Sequence, residues 1–175
     1  MRYAAFLRAV NLGRNRRVTG AQLKALFEEA GAEDVATFRT SGNVVFEAPR
    51  DMTKKLESHL ENALGHDMAI FLRTSSELKK MAAHEPFPAL ELDASKGKLQ
   101  VLLLRSKPSA AKQKQALALA TDEDRLAFGA RELYWLPSGG TMQSTLDQKA
   151  LAALIGQATQ RTQGTIEQLF AKFFV

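Results

Sequence analysis

Val35-Ala36-Thr37-Phe38-Arg39-Thr40-Ser41-Gly42-Asn43-Val44-Val45-Phe46-Glu47 is the stretch on which the fold turns. Residues 35–39 and 44–47 are short runs rich in apolar side chains, and Ser41-Gly42-Asn43 between them is small and polar, so the stretch predicts a β-hairpin. Upstream, residues 3–10 are dominated by Tyr, Phe, Leu, Val and Ala, the mark of a buried strand rather than an alternating surface one. Thr19-Gly20-Ala21-Gln22 has the spacing of a capping box, in which the hydroxyl and the amide side chain satisfy the free backbone donors of a helix start. Leu23, Leu26, Phe27 and Ala30 follow at helical spacing, and Gly31 is placed to end that helix in a left-handed conformation. Downstream, Asp51 predicts the cap of a second helix carrying Leu56, Leu60, Ala63 and Leu64, with Gly65 as its stop and a short strand over 68–72. Strand, helix, strand, strand, helix, strand is the split βαβ, ferredoxin-like order, which packs one antiparallel sheet against two helices on a single face.

The second half repeats most of this order. Thr74-Ser75-Ser76-Glu77 is another capping box before a short helix with Leu78, Met81 and Ala82, which Pro86 and Pro88 terminate. Residues 84–97, with their prolines and acids, predict a linker or long surface loop. A strand follows over 99–104, then a helix from Lys107-Pro108-Ser109 to about residue 120. Residues 125–128 and 132–136 flank Gly129-Ala130-Arg131 as a hairpin, and Pro137-Ser138-Gly139-Gly140 predicts a turn. Ser144-Thr145-Leu146-Asp147 caps a helix bearing Leu146, Leu151, Leu154 and Ile155, which Gly156 ends. Ile166, Leu169, Phe170 and Phe173 then mark one buried face of a final helix. The expectation is an α+β protein with two ferredoxin-like (βαββαβ-type) subdomains, residues 1–83 and 98–175, with the C-terminal helix joining them.

The 175 residues are 45% hydrophobic and 25% charged, an ordinary globular composition. Zero cysteines exclude disulfides, thiolate metal sites and a Cys nucleophile. Arg8 interrupts the apolar N-terminal stretch that a signal peptide would need, and no run approaches the roughly 20 apolar residues of a membrane span. A cytoplasmic protein without a membrane partner is expected. The net charge of +5 favours anionic partners, although lysines such as Lys54, Lys55, Lys79, Lys80, Lys112 and Lys114 sit on predicted exposed helix faces, where solubility accounts for them.

Candidate chemistry is sparse. The sequence contains no G-x-x-x-x-G-K-[ST] loop, G-x-G-x-x-G, G-x-S-x-G or H-E-x-x-H. The three histidines, His59, His66 and His84, do not form a ligand pattern, so neither a metal nor a cofactor is expected. Asp122-Glu123-Asp124 predicts a solvated turn, and adjacent Tyr134 and Trp135 predict one ring toward the core and one toward solvent. The densest positive cluster is Arg14, Arg16 and Arg17, fed by a strand carrying Arg8. Guanidinium groups bind phosphate or carboxylate oxygens in a forked geometry, and Asn11 and Gly13 would add amide and backbone donors. The opposing reading is that Asn11 and Gly13 only shape the loop while the arginines pair with Glu28, Glu29 or Glu33. Ser41, Gly42 and Asn43 are open in the same way, as turn residues or as small donors converging with the arginines on one anion.

At these residues the chain resembles a bacterial family, domain of unknown function 1697. That family has a strand F-L-R-G-I-N-V-G-G, a Q-S-G-N-V-x-F segment and a C-terminal T-x-R-N-x-x-T pattern. Phe6-Leu7-Arg8 and Asn11-Leu12-Gly13 match the first, Ser41-Gly42-Asn43-Val44-Val45-Phe46 the second, and Thr159, Arg161 and Thr165 the third. Ala9 and Arg14 stand where the family has glycines, Arg16 where Asn is common, Thr40 in place of Gln and Thr162 in place of Asn. The resemblance spans essentially the whole chain and implies two ferredoxin-like α+β subdomains and no established activity. The site expected from residues and resemblance together is Arg8, Asn11, Gly13, Arg14, Arg16, Ser41, Gly42, Asn43, Thr159, Arg161 and Thr165, holding an anionic small molecule or nucleic acid. A small-molecule enzyme, with Arg8 and Arg161 on a phosphate or carboxylate and Ser41 or Asn43 near the chemistry, and an interaction module without a ligand are the alternatives.

Overall fold

The computed structural model describes residues 1–8, 18–40 and 42–175. Among them the chain forms an α+β fold with two four-stranded antiparallel sheets. It divides into two compact units, Met1–Lys80 with Leu169–Val175, and Met81–Gln168. No helix among the described residues is long and apolar enough to cross a membrane.

The first unit runs β1 (Arg2–Arg8), α1 (Gly20–Glu29), β2 (Glu33–Thr37), β3 (Asn43–Glu47), α2 (Thr53–Leu64), β4 (Ala69–Thr74) and the start of α3 (Ser75–Ala82). Its sheet has the order β2-β3-β1-β4, the ferredoxin-like order, with every neighbour antiparallel. Tyr3, Ala5 and Leu7 of β1, Val44 and Phe46 of β3, and Ile70 and Leu72 of β4 form one core with Leu23 and Phe27 of α1 and Leu56 and Leu60 of α2. The intervening residues Ala4, Phe6, Val45 and Phe71 are buried too, which is why β1 reads as a continuous apolar run.

The helix signals hold in detail. Thr19 and Gln22 form the reciprocal capping box of α1, and Thr74 and Glu77 form the same pair before α3. Gly31 and Gly65 take φ values of 100° and 75°, as their stop positions require. Asp51, the expected cap of α2, sits one residue before the observed N-cap Met52, and its Oδ1 accepts from the Thr53 N–H at 2.8 Å.

The second unit contains α4 (Ala89–Ala94), β5 (Gln100–Leu104), α5 (Ala110–Leu117), β6 (Asp124–Phe128), β7 (Glu132–Pro137), α6 (Gln148–Ile155), β8 (Ala158–Thr162) and the first half of α7 (Gln163–Phe173). Its sheet order, β6-β7-β5-β8, repeats the first. The stretch 84–97, expected as linker or loop, carries α4. The closing strand β8, absent from the sequence expectation, pairs antiparallel with β5 from Gln100↔Thr162 to Leu104↔Ala158. Leu104, Leu126, Leu133 and Trp135 of the sheet pack with Ala116, Leu151 and Ile155 of α5 and α6.

Two expectations are corrected here. Tyr134 and Trp135 are both buried, at 1% exposure each, so neither ring offers a stacking face. Asp124 is not a solvated turn residue: it is 1% exposed, and its Oδ1 accepts from Trp135 Nε1 at 2.8 Å and Ser144 Oγ at 2.7 Å. A lone buried carboxylate is costly, and these donors compensate it.

Candidate anion-binding site

In the first unit, β1 pairs with β3 as far as Phe6↔Asn43, and the Leu7 N–H then donates to Gly42 O at 2.8 Å. The exit of β1 is thereby fastened to the β2–β3 turn. Arg8, the last strand residue, is exposed there. Gly42 has φ 79°, the left-handed conformation that glycine takes without strain. Asn43 is buried; its Nδ2 donates to Phe38 O at 2.9 Å, and its own carbonyl accepts from the Phe38 N–H at 2.9 Å. Asn43 therefore closes the turn.

The start of α1 reaches the same end of the sheet. A Cβ on Gly20 would lie 2.9 Å from Thr37 Oγ1, so the first helical turn rests against the last residue of β2. Pairing of Arg8 with Ala69 brings the segment before β4, with Gly65, His66 and Asp67, to that end as well. The helix has no acidic residue in its first turn, which leaves its positive dipole end uncompensated from within.

Beside the turn stands a group of rings and cations. Phe38 meets Phe173 edge to face, with centroids 6.0 Å apart. The Arg39 guanidinium lies 5.3 Å and Lys172 Nζ 5.8 Å from the Phe38 ring centre. Arg39 has φ 60°, a left-handed backbone rarely taken by a residue with a long side chain. Neither Phe38 nor Lys172 was among the residues singled out from sequence.

Asn11, Gly13, Arg14, Arg16 and Ser41 lie outside the described residues. Thr159, Arg161 and Thr165 belong to the second unit, whereas Arg8, Gly42 and Asn43 belong to the first. Arg161 is buried, and its Nη1 donates to Thr159 Oγ1 at 2.9 Å and Gln160 O at 2.8 Å. Burial pushes its guanidinium down to about 10, which leaves it charged at neutral pH. Thr165 has a local role: its N–H donates to Thr162 Oγ1 at 3.2 Å, and the two hydroxyls lie 2.9 Å apart, closing the first turn of α7. Within the first unit the structure brings Arg8, Gly42 and Asn43 together, and within the second it joins Thr159 and Arg161.

The histidines are dispersed. His59 Nε2 lies 3.0 Å from Glu29 Oε2, His66 Nδ1 is 3.3 Å from Asp67 O, and His84 packs on the Tyr134 ring. Among the described residues no group of three or more His, Asp or Glu side chains could hold a metal ion. A cavity of about 250 Å³ opens in the second unit, lined by Glu91, Asp122, Glu123, Arg125 and Ser138 among others. Arg125 is already engaged there by both oxygens of Glu91, at 3.2 and 2.9 Å, and that partner raises its pKa. The lining is acidic on balance and suits no anion.

The family model described as protein of unknown function (DUF1697) matches residues 1–134. The solved structure of the conserved bacterial protein SP0830 from Streptococcus pneumoniae is similar to this chain, with a TM-score of 0.73 at 19% sequence identity. The match covers 97% of this chain and 98% of that one. At such identity the likeness speaks for the fold alone. No curated protein matches.

Proposed function

The chain belongs to the DUF1697 family, and because that family carries no activity to inherit, we propose from local geometry that the protein binds a phosphate-bearing anion where β1 exits toward α1. The observation that carries this reading is the 2.8 Å bond from the Leu7 N–H to Gly42 O, which sets the exit of β1 and the β2–β3 turn side by side. Charge supports it. Arg8, Arg14, Arg16, Arg17 and Lys24 follow one another with no Asp or Glu before Glu28. Cations gathered in sequence ahead of a helix that holds no acid in its first turn favour polyanions, while Lys24 within that helix is paired with Glu28 at 3.8 Å.

Titration calorimetry with inorganic tripolyphosphate tests this. Binding at low ionic strength is expected to weaken steeply as salt is added, since neutralised phosphates release or exchange counterions. Arg8→Ser is expected to weaken it by somewhat more than tenfold, the low end of the roughly 1.5–3 kcal/mol range for one hydrogen bond to a charged group. Lys114→Ser, which removes an exposed charge from α5, is expected to leave it unchanged. Equal losses in both variants, or no binding at low salt, would contradict the reading.

A further inference from the structure

We propose that β8 is a docking edge, on which a second copy of this chain pairs its own β8 antiparallel about a two-fold axis at Gln160. The two sheets share one strand order, β2-β3-β1-β4 and β6-β7-β5-β8, so β4 and β8 are edge strands in corresponding positions. An edge strand carries a row of backbone N–H and C=O groups that another strand can use, and proteins block such pairing by covering or distorting the edge.

The β4 edge is closed by carboxylates. Glu57 and Glu61 stand one turn apart on α2; Glu57 Oε1 accepts from the Ile70 N–H at 2.8 Å, and Glu61 Oε1 from the Met68 N–H at 3.3 Å. Glu77 Oε2 accepts from the Thr74 N–H at 2.8 Å. An arriving strand would have to displace a charge-assisted bond at each of these positions.

The β8 edge has no such cover. The Leu104 N–H donates to Arg131 O, so Leu104 and Leu102 turn their backbone toward β7, while Leu103 and Val101 turn theirs toward Thr159 and Arg161. Ala158, Gln160 and Thr162 therefore point their N–H and C=O groups away from the sheet. Among the described residues these three N–H groups have no hydrogen-bond partner, and Gln160 is exposed. Gln160 O accepts from Arg161 Nη1 at 2.8 Å, which leaves the carbonyl a second lone pair. Counting back from the glycine that ends each helix, Glu61 and Glu57 of α2 correspond to Ala152 and Gln148 of α6, and α6 holds no acid.

The side chains of β8 suit a second copy. About a two-fold axis at Gln160, this residue meets the copy's Gln160 and Ala158 meets the copy's Thr162 on one face, while Thr159 meets the copy's Arg161 on the other. No like charges stand directly opposite, and the same patch serves both partners. The strand is five residues long, and so short a pairing buries less than the roughly 1,200 Å² of a stable complex. The dimer is accordingly expected at high micromolar protein. Each chain carries a net charge of +5, so added salt is expected to strengthen the dimer, opposite to its effect on anion binding.

Sedimentation velocity of the full chain, across a dilution series from micromolar to millimolar, tests this. A reversible monomer–dimer equilibrium is expected. Gln160→Lys and Gln160→Glu each set like charges opposite one another and are expected to weaken the dimer about fivefold, and their equimolar mixture to form a mixed dimer about tenfold tighter than either alone. The Glu variant lowers the net charge, so general repulsion between chains does not account for its weakening. Thermal melting confirms that the variants fold, and uncharged Gln160→Thr, expected to pair within about twofold of wild type, keeps the test valid if a charged variant does not. A monomer throughout the series, or a dimer equally strong in wild type, both charged variants and their mixture, overturns the proposal.

Discussion

Phe46→Ala is expected to lower the unfolding free energy by about 3–5 kcal/mol, seen in urea as a lower midpoint with an unchanged slope. Phe46 is fully buried near the end of β3, stacked on Tyr3 with centroids 5.6 Å apart and edge-on to Phe27 at 5.4 Å. Truncation removes the transfer energy of the ring and both aromatic pairings, and leaves a cavity between sheet and α1 that neighbouring strands cannot close. Phe46→Leu, which keeps most of the volume, is expected to lose less than half as much. β3 carries Asn43 and is preceded by Gly42, so this ring also anchors the strand from which the candidate site is built. A loss below about 1 kcal/mol for the Ala variant would mean that the core of the first unit is not packed as described.

Asp124→Ala is expected to cost about 3 kcal/mol, through the groups it abandons more than through its own contacts. The Trp135 indole N–H, buried at 1% exposure, donates to Asp124 Oδ1 at 2.8 Å, and Ser144 Oγ shares that oxygen at 2.7 Å. Without the carboxylate, a buried indole donor and a half-buried hydroxyl have no acceptor. Asp124→Asn keeps an oxygen at the same place and is expected to retain most of the stability, losing only the charge-assisted part of the bonds. Trp135 is the only tryptophan in the chain, so its emission reports this site directly: unchanged in folded Asn variant, shifted in the Ala variant. Equal stability of all three proteins would show that Asp124 is hydrated rather than buried against the indole.

The hairpin at residues 35–47 was legible because its turn is written in small polar residues, yet its end was misplaced. β2 stops at Thr37, and Arg39 turns into φ 60°, a conformation with no signature in an arginine side chain. β8 was invisible for a different reason. Ala158-Thr159-Gln160-Arg161-Thr162 has no apolar alternation, since its buried members Thr159 and Arg161 satisfy their polar groups by hydrogen bonds. Asp124 looked like its exposed neighbours Asp122 and Glu123, and only partners 11 and 20 residues onward distinguish it. For the site, the motif residues pointed to the end of β1 and to the turn, whose proximity depends on strand order. Phe38 beside Phe173 and Lys172 joins the start of the chain to its last residues, and no local pattern records such a meeting.

The proposed anion site lies at the end of the first sheet where β1 meets the β2–β3 turn. Nitrogen-15 chemical-shift mapping of the full chain titrated with tripolyphosphate locates the bound anion residue by residue. The largest shifts are expected at the amides of Arg8, Gly20, Arg39 and Gly42, moving together with one dissociation constant. Shifts confined to the cavity around Glu91, Asp122 and Arg125, or no shifts at low salt, would contradict it.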